Sequence, residues 1–279
     1  MSNSSRSEQN APIRRRDTLK LAAAGLAAAA TGHAGTSYAQ AQAGERPFVL
    51  IHGAWHGGWA WRPVTERLWR AGHPASSPTL AGLGERAHLA SPEIGLDVHV
   101  QDVIAHMEME DLRDVVLVGH SYGGMVIAGV LAQAPERVQA AVYLDALVPE
   151  NGRGLADYIP PKAKQNFEKL LAEGKSVPPR PPEMMAKLWG LTDPKVRDWV
   201  AARLRPQSAL TFLQPVKGEP MREGIRYTFI RCEANPNPLF QAMGDKVKGD
   251  DRWAYVGLDT HHDAMLLAPD ALTEALLAA

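Results

Sequence analysis

VVLVGHSYGGMVIAGVLAQ, residues 115–133, places Ser121 among glycines, directly after a run of valines and directly before a helical pattern. The nearly continuous apolar run suits a central parallel strand buried on both faces. Between strand and helix, Gly119-His120-Ser121-Tyr122-Gly123 satisfies G-x-S-x-G in the context that the motif requires. The chain must reverse sharply there, which forces Ser121 into a strained backbone conformation. Side chains at positions 119 and 123 would collide with their neighbours. The Ser121 hydroxyl then projects from the carboxyl end of the sheet, beside a helix N-terminus whose partial positive charge favours a developing oxyanion. Ser121 is the candidate nucleophile.

The strand signature recurs in PFVLIHG (47–53), AAVYLDA (140–146), RYTFIRC (226–232) and RWAYVGL (252–258). Between these lie helical patterns: WRPVTERLWRAG (61–72), LDVHVQDVIAHMEME (96–110), MVIAGVLAQAPERV (125–138) and PDALTEALLAA (269–279). Strands alternating with helices predict an α/β fold, a mostly parallel central sheet flanked by helices. From about residue 150 to 221 the strand signal stops, and proline-broken segments such as VPPRPPEMMAKLWG and DPKVRDWVAARLRPQ predict a helical cap, or lid. The core then comprises residues 44–149 and 222–279.

A serine hydroxyl is a poor nucleophile until a base takes its proton. With the chain order serine, acid, histidine, the base lies in the loop after the last strand. LDTHHDAML (258–266) offers His261 and His262 there, and the helical turn that starts after His262 favours that imidazole. The usual place for the acid is the loop after RYTFIRC, but it reads EANPNP and offers only Glu233, Asn235 and Asn237. The end of the preceding strand, in AVYLDALVP, offers Asp145. Asp145 is the first choice for the acid and Glu233 the alternative. An oxyanion hole needs two convergent backbone N–H groups. Tyr122 supplies one, and Ala54 in IHGAWHGGWAW (51–61) supplies the other, with Gly53 allowing close approach. His52 is expected to brace this loop, and Trp55, Trp59 and Trp61 to pack or line a pocket wall. His52 and His56 lack an acidic or cysteine partner at ligand spacing, so no metal is expected. No Gly-rich phosphate loop of the P-loop or dinucleotide type appears.

The 279 residues are 45% hydrophobic and 22% charged with a formal net charge of −1, which gives no sign of a nucleic-acid partner. One cysteine, Cys232, excludes an intrachain disulfide and reads as a small buried hydrophobe. At the N-terminus RRRDTLK (14–20) precedes LAAAGLAAAA (21–30), which matches a twin-arginine export signal within a leader over residues 1–43. The apolar run is too short to span a bilayer stably. A periplasmic or secreted protein follows as the expectation, with the twin-arginine translocase as its partner during export and candidate cleavage after Ala39, Ala41 or Ala43.

HGAWHGGWAW, PTLAGLGER, DVIAHMEMEDLRDVVLVGHSYGGMV, AVYLDALVP and HHDAML together resemble the α/β-hydrolase superfamily, in the branch of plant methyl esterases, hydroxynitrile lyases and bacterial small-ester hydrolases. The resemblance covers residues 47–279 and is weakest across the lid. It implies an eight-stranded core sheet and a cofactor-free serine esterase, with Ser121 as nucleophile, His262 as base, and Ala54 and Tyr122 as oxyanion donors. The acid of many members falls here near Asn235, which is why Asp145 takes the role. The lyases of the branch carry a lysine after the catalytic histidine and a threonine after the first histidine, where this chain has Asp263 and Gly53. The expectation is an exported carboxylic ester hydrolase for small, mostly apolar or aromatic esters. Hydroxynitrile cleavage, lactone opening, perhydrolysis, or ligand binding by a weakened triad remain the alternatives.

Overall fold

The computed structural model describes residues 45–279. The leader and its arginine motif lie outside the described residues. Among the described residues eight strands occur in chain order: β1 (Phe48–Ile51), β2 (Ala75–Ser76), β3 (Val115–His120), β4 (Val138–Leu144), β5 (Ser176–Val177), β6 (Gln207–Ser208), β7 (Arg226–Cys232) and β8 (Trp253–Leu258). Six of them form one sheet in the order β2-β1-β3-β4-β7-β8, every neighbouring pair parallel.

Apolar continuity in the strands has the expected cause. In β1, Val49 and Ile51 belong to the core on one face while Phe48 and Leu50 belong to the core on the other. In β3, Val115 and Leu117 face the first core and Val116 and Val118 the second. A strand covered on both sides needs no polar alternation. The helices Leu96–Met109 and Gly123–Gln133 cover one face, with Val100, Val103, Val126 and Val130 in its core. The helices Arg62–Arg70 and Pro269–Ala278 cover the other through Val64, Leu68, Leu272 and Leu276.

The resemblance implied eight core strands, and the sheet holds six among the described residues. Strand β1 already leads into the 52–57 loop, and β2 is only two residues long. Pro74 and Pro78 flank β2, and proline cannot donate to a ladder. The stretch over 150–221 holds the helices Pro161–Ala172 and Pro194–Ala201 with shorter helical turns, and β5 and β6 pair antiparallel within it. Two-residue strands carry no period that a sequence reading could detect. The helix Pro238–Lys248 was also not foreseen. Asn237 caps it by accepting from the Leu239 N–H at 3.1 Å, and Pro238 occupies its first turn, a start signal that the sequence does contain.

The strand order positions the site. From β1 the chain moves outward to β2, then crosses back to β3 on the other side of β1. Such a switch of direction opens a crevice at the carboxyl ends of the strands. The loops leaving β1, β3, β4, β7 and β8 at that edge carry Ala54, Ser121, Asp145, Asn235 and His262 in turn.

Candidate active site

Ser121 has φ +55, a left-handed conformation that non-glycine residues seldom adopt. Its N–H donates to Leu144 O at 3.2 Å, and its carbonyl accepts from the N–H groups of Gly124 at 3.1 Å and Leu147 at 3.2 Å. These bonds fasten the turn to the end of β4 and hold the strain. A Cβ at Gly119 would stand 2.6 Å from the Gly123 carbonyl oxygen, and one at Gly123 would stand 2.7 Å from that of Ile51. Both glycines are thus required by close backbone approach, as the motif suggested.

Asp145 follows the next strand, fully buried and also left-handed at φ +41. Its carboxylate gathers four donors. Oδ1 accepts from the Arg231 guanidinium at 2.5 Å and the Cys232 N–H at 3.4 Å. Oδ2 accepts from Asn235 Nδ2 at 2.5 Å and faces His262 Nδ1 at 2.7 Å. Arg231 is 2% exposed and also donates to the carbonyls of Cys232 and Asn235. Glu233, the alternative acid, points elsewhere and accepts from the Tyr255 hydroxyl at 2.9 Å. The structure therefore places Asp145, not Glu233, on the histidine. Arg231 and Asn235 escaped the sequence reading as supports for that carboxylate. The signal for Arg231 was a cation near the end of an apolar strand, since a buried guanidinium requires an anion.

His262 is 4% exposed, with its ring against those of His120 (centroids 4.5 Å apart) and Phe240 (4.6 Å). With Nδ1–H given to Asp145, the neutral ring keeps Nε2 as a proton acceptor. Ser121 and His262 line the same cavity. His261 is half-buried beside Gly190 of the insertion and does not meet Asp145. Cys232 is buried behind the base, and burial pushes its thiol well above the ordinary value.

Ala54 and Tyr122 are both buried, and neither backbone N–H donates to an acceptor among the described residues. The loop that holds Ala54 is tied from several sides. His52 Nδ1–H donates to Gly53 O at 2.9 Å, and Nε2 accepts from the Leu80 N–H at 3.1 Å. Trp55 has φ +66. Its N–H donates to Gln207 Oε1 at 2.9 Å, its indole N–H to Val177 O at 3.1 Å, and its carbonyl accepts from the Arg205 N–H at 3.0 Å. The insertion thereby grips the residue next to Ala54.

His56 connects this loop to the one that carries the base. Its Nδ1 lies 2.8 Å from Ala54 O, and its Nε2 lies 3.5 Å from Asp263 Oδ2. Asp263 is fully buried, with His120 Nε2 at 4.0 Å from its other oxygen. His120, His262 and Asp263 can bring one ligand atom each within 4.8 Å, the one such trio among the described residues. His120 commits Nε2 to the His262 carbonyl at 3.0 Å and His262 commits Nδ1 to Asp145, which leaves the trio poorly suited to a metal. His52 and His56 are likewise engaged with their own loop.

Three buried histidines stay neutral in the fold. Desolvation lowers His52 to about 3 and His99 to about 4, and holds His120 well below its ordinary value. In the unfolded chain each takes up a proton near pH 6.5. The unfolded state therefore binds more protons below that pH, and stability that is complete above it is lost as pH falls toward 4. The slope is about 1.4 kcal/mol per pH unit for each histidine. Urea midpoints measured at pH 7.5 and pH 5.0 are expected to drop clearly at the lower pH, and equal midpoints would contradict this.

The cavity above Ser121 measures about 860 Å³ and lies between the core loops and the insertion. Trp55, Phe167, Trp189, Phe212 and Phe240 supply aromatic wall, and Asn166, Asn235 and Asn237 supply polar groups. From the insertion, Leu188, Trp189 and Phe212 reach it, whereas Trp199 is 42% exposed.

Comparison with known proteins agrees with this fold. The family described as "Alpha/beta hydrolase family" matches residues 48–275. A carbendazim hydrolyzing esterase from Nocardioides sp. (strain SG-4G) is 37% identical over 248 residues, covering 83% of this chain and 98% of that protein. Methyl jasmonate esterase 1 from Vitis vinifera is 27% identical over 174 residues, covering 58% of this chain and 67% of that protein. Among solved structures, an extracellular alpha/beta-hydrolase from a Paenibacillus species superposes with a TM-score of 0.72 at 23% identity, covering 84% of this chain and 98% of that one.

Proposed function

The chain belongs to the alpha/beta hydrolase family, with esterases among its relatives, and on that premise we propose that it hydrolyses small carboxylic esters through Ser121, His262 and Asp145. The observation that carries the reading is the Asp145 carboxylate 2.7 Å from His262 Nδ1, with Ser121 and His262 both lining one cavity. Ser121 Oγ attacks the ester carbonyl carbon while His262 Nε2 takes its proton. The carbonyl oxygen becomes an oxyanion held by the N–H groups of Ala54 and Tyr122. His262 returns the proton to the alcohol oxygen as the C–O bond breaks. Water, deprotonated by the same ring, then cleaves the acyl-serine. Asp145 fixes the tautomer and stabilises the imidazolium that forms in each step.

The aromatic and aliphatic lining favours small apolar or aromatic esters over sugars or peptides. Residues 150–221 act as the lid over that cavity. Where the lyases of the branch carry a lysine, Asp263 is buried toward His56, which argues against a cation for a cyanide leaving group. An alkyl fluorophosphonate probe tests the mechanism: the parent is expected to be labelled at Ser121 within minutes, and an unlabelled parent would overturn it. We further propose export through the twin-arginine translocase to the periplasm or beyond, on the motif RRRDTLK. Fractionation of a bacterial host should find the protein outside the cytoplasm, and lysines in place of those arginines should retain it inside.

A further inference from the structure

Among the described residues that line the cavity, Arg180 is the only lysine, arginine, aspartate or glutamate. It comes from the lid stretch Pro178-Pro179-Arg180-Pro181-Pro182. Four prolines restrict the backbone around it, so the side chain is presented from a stiff segment. The guanidinium carbon lies 5.4 Å from the centre of the Trp55 ring. Its side chain makes no ion pair or hydrogen bond with any described residue. Trp55 is fixed by three hydrogen bonds to Gln207, Val177 and Arg205, so the surface beneath the guanidinium is rigid as well. The N–H groups of this guanidinium have no described acceptor, and the planar edge of a guanidinium matches a carboxylate with two parallel hydrogen bonds.

We propose that Arg180 forms a subsite for a carboxylate carried by the substrate at the end remote from its reacting ester. The substrate class is then a small ester with an apolar or aromatic body and one free acid group, the body against Trp189 and Phe212 and the acid at Arg180. This deepens the esterase reading and rests on it.

Two esters that differ only at the remote end test the subsite: 4-nitrophenyl hydrogen adipate, which carries a carboxylate, and its primary amide. The ratio of kcat/KM for acid over amide is expected to fall at least about tenfold in Arg180→Met, the loss of one charge-assisted hydrogen bond. Arg180→Lys should lower the ratio less, because the charge remains and the planar fork does not. A ratio unchanged within about twofold in Arg180→Met overturns the subsite. Calorimetry in a Ser121→Ala background, with 3-phenylpropionate against 3-phenylpropionamide, reads the same preference without turnover. Equal affinity of acid and amide there also overturns it. Tighter binding of the acid, lost in Arg180→Met, supports it even if the parent cleaves neither ester, an outcome that would defeat the hydrolase reading alone.

Discussion

Ser121→Ala is expected to lower kcat for 4-nitrophenyl butyrate by about five orders of magnitude or more. The lost hydroxyl is the atom that forms the acyl bond, so the two-step route is closed rather than slowed. Activity left over should reflect only the oxyanion donors and substrate positioning, which together retain about 10³–10⁴ over water. The bonds that fasten the turn come from the backbone of residue 121: its N–H to Leu144 and its carbonyl to Gly124 and Leu147. The variant should therefore keep the parent's urea midpoint. Release of 4-nitrophenol at a rate within tenfold of the parent would end the serine mechanism.

Asp145→Asn should combine a kinetic and a structural loss. The carboxylate accepts from Arg231, the Cys232 N–H, Asn235 and His262. A carboxamide has one acceptor oxygen, and its NH₂ would confront donors. His262 then loses the partner that fixes its tautomer, at a cost of about 10⁴ in kcat. Arg231 loses its anion while 2% exposed, and breaking a buried pair in this way costs about 3–5 kcal/mol. Both losses should appear together, in ester turnover and in the urea midpoint. Glu233→Gln, by contrast, touches only the hydrogen bond from Tyr255 and should stay within about twofold of the parent. The reverse order of effects would move the acid to Glu233.

What could be read in advance depended on how local its cause was. The elbow at Ser121 was legible because the strand, the glycines and the helix lie within twenty consecutive residues and each restricts the next. The acid was harder because its evidence is scattered: Arg231 lies 86 positions from Asp145, Asn235 lies 90, and His262 lies 117. Asn235 illustrates the difference. In sequence it marked the loss of a carboxylate from the usual loop, and in the fold it donates to the carboxylate that replaces it. The same holds for His56, whose link from the Ala54 carbonyl to Asp263 joins loops about 200 residues apart. The sheet width departed from the expectation because the resemblance implied strands that the described chain does not form.

From its residues alone this chain declared a parallel sheet, a strained serine at the sheet's carboxyl edge, a histidine near its end and a proline-broken insertion, because apolar period, glycine placement and turn chemistry act over a few neighbours. Only the tertiary structure decided which carboxylate meets that histidine, which donors surround it while buried, and which residue of the lid carries charge into the cavity. Those choices arise where separate strand ends converge, and the energy of a buried charge depends on every group around it, whatever its distance along the chain.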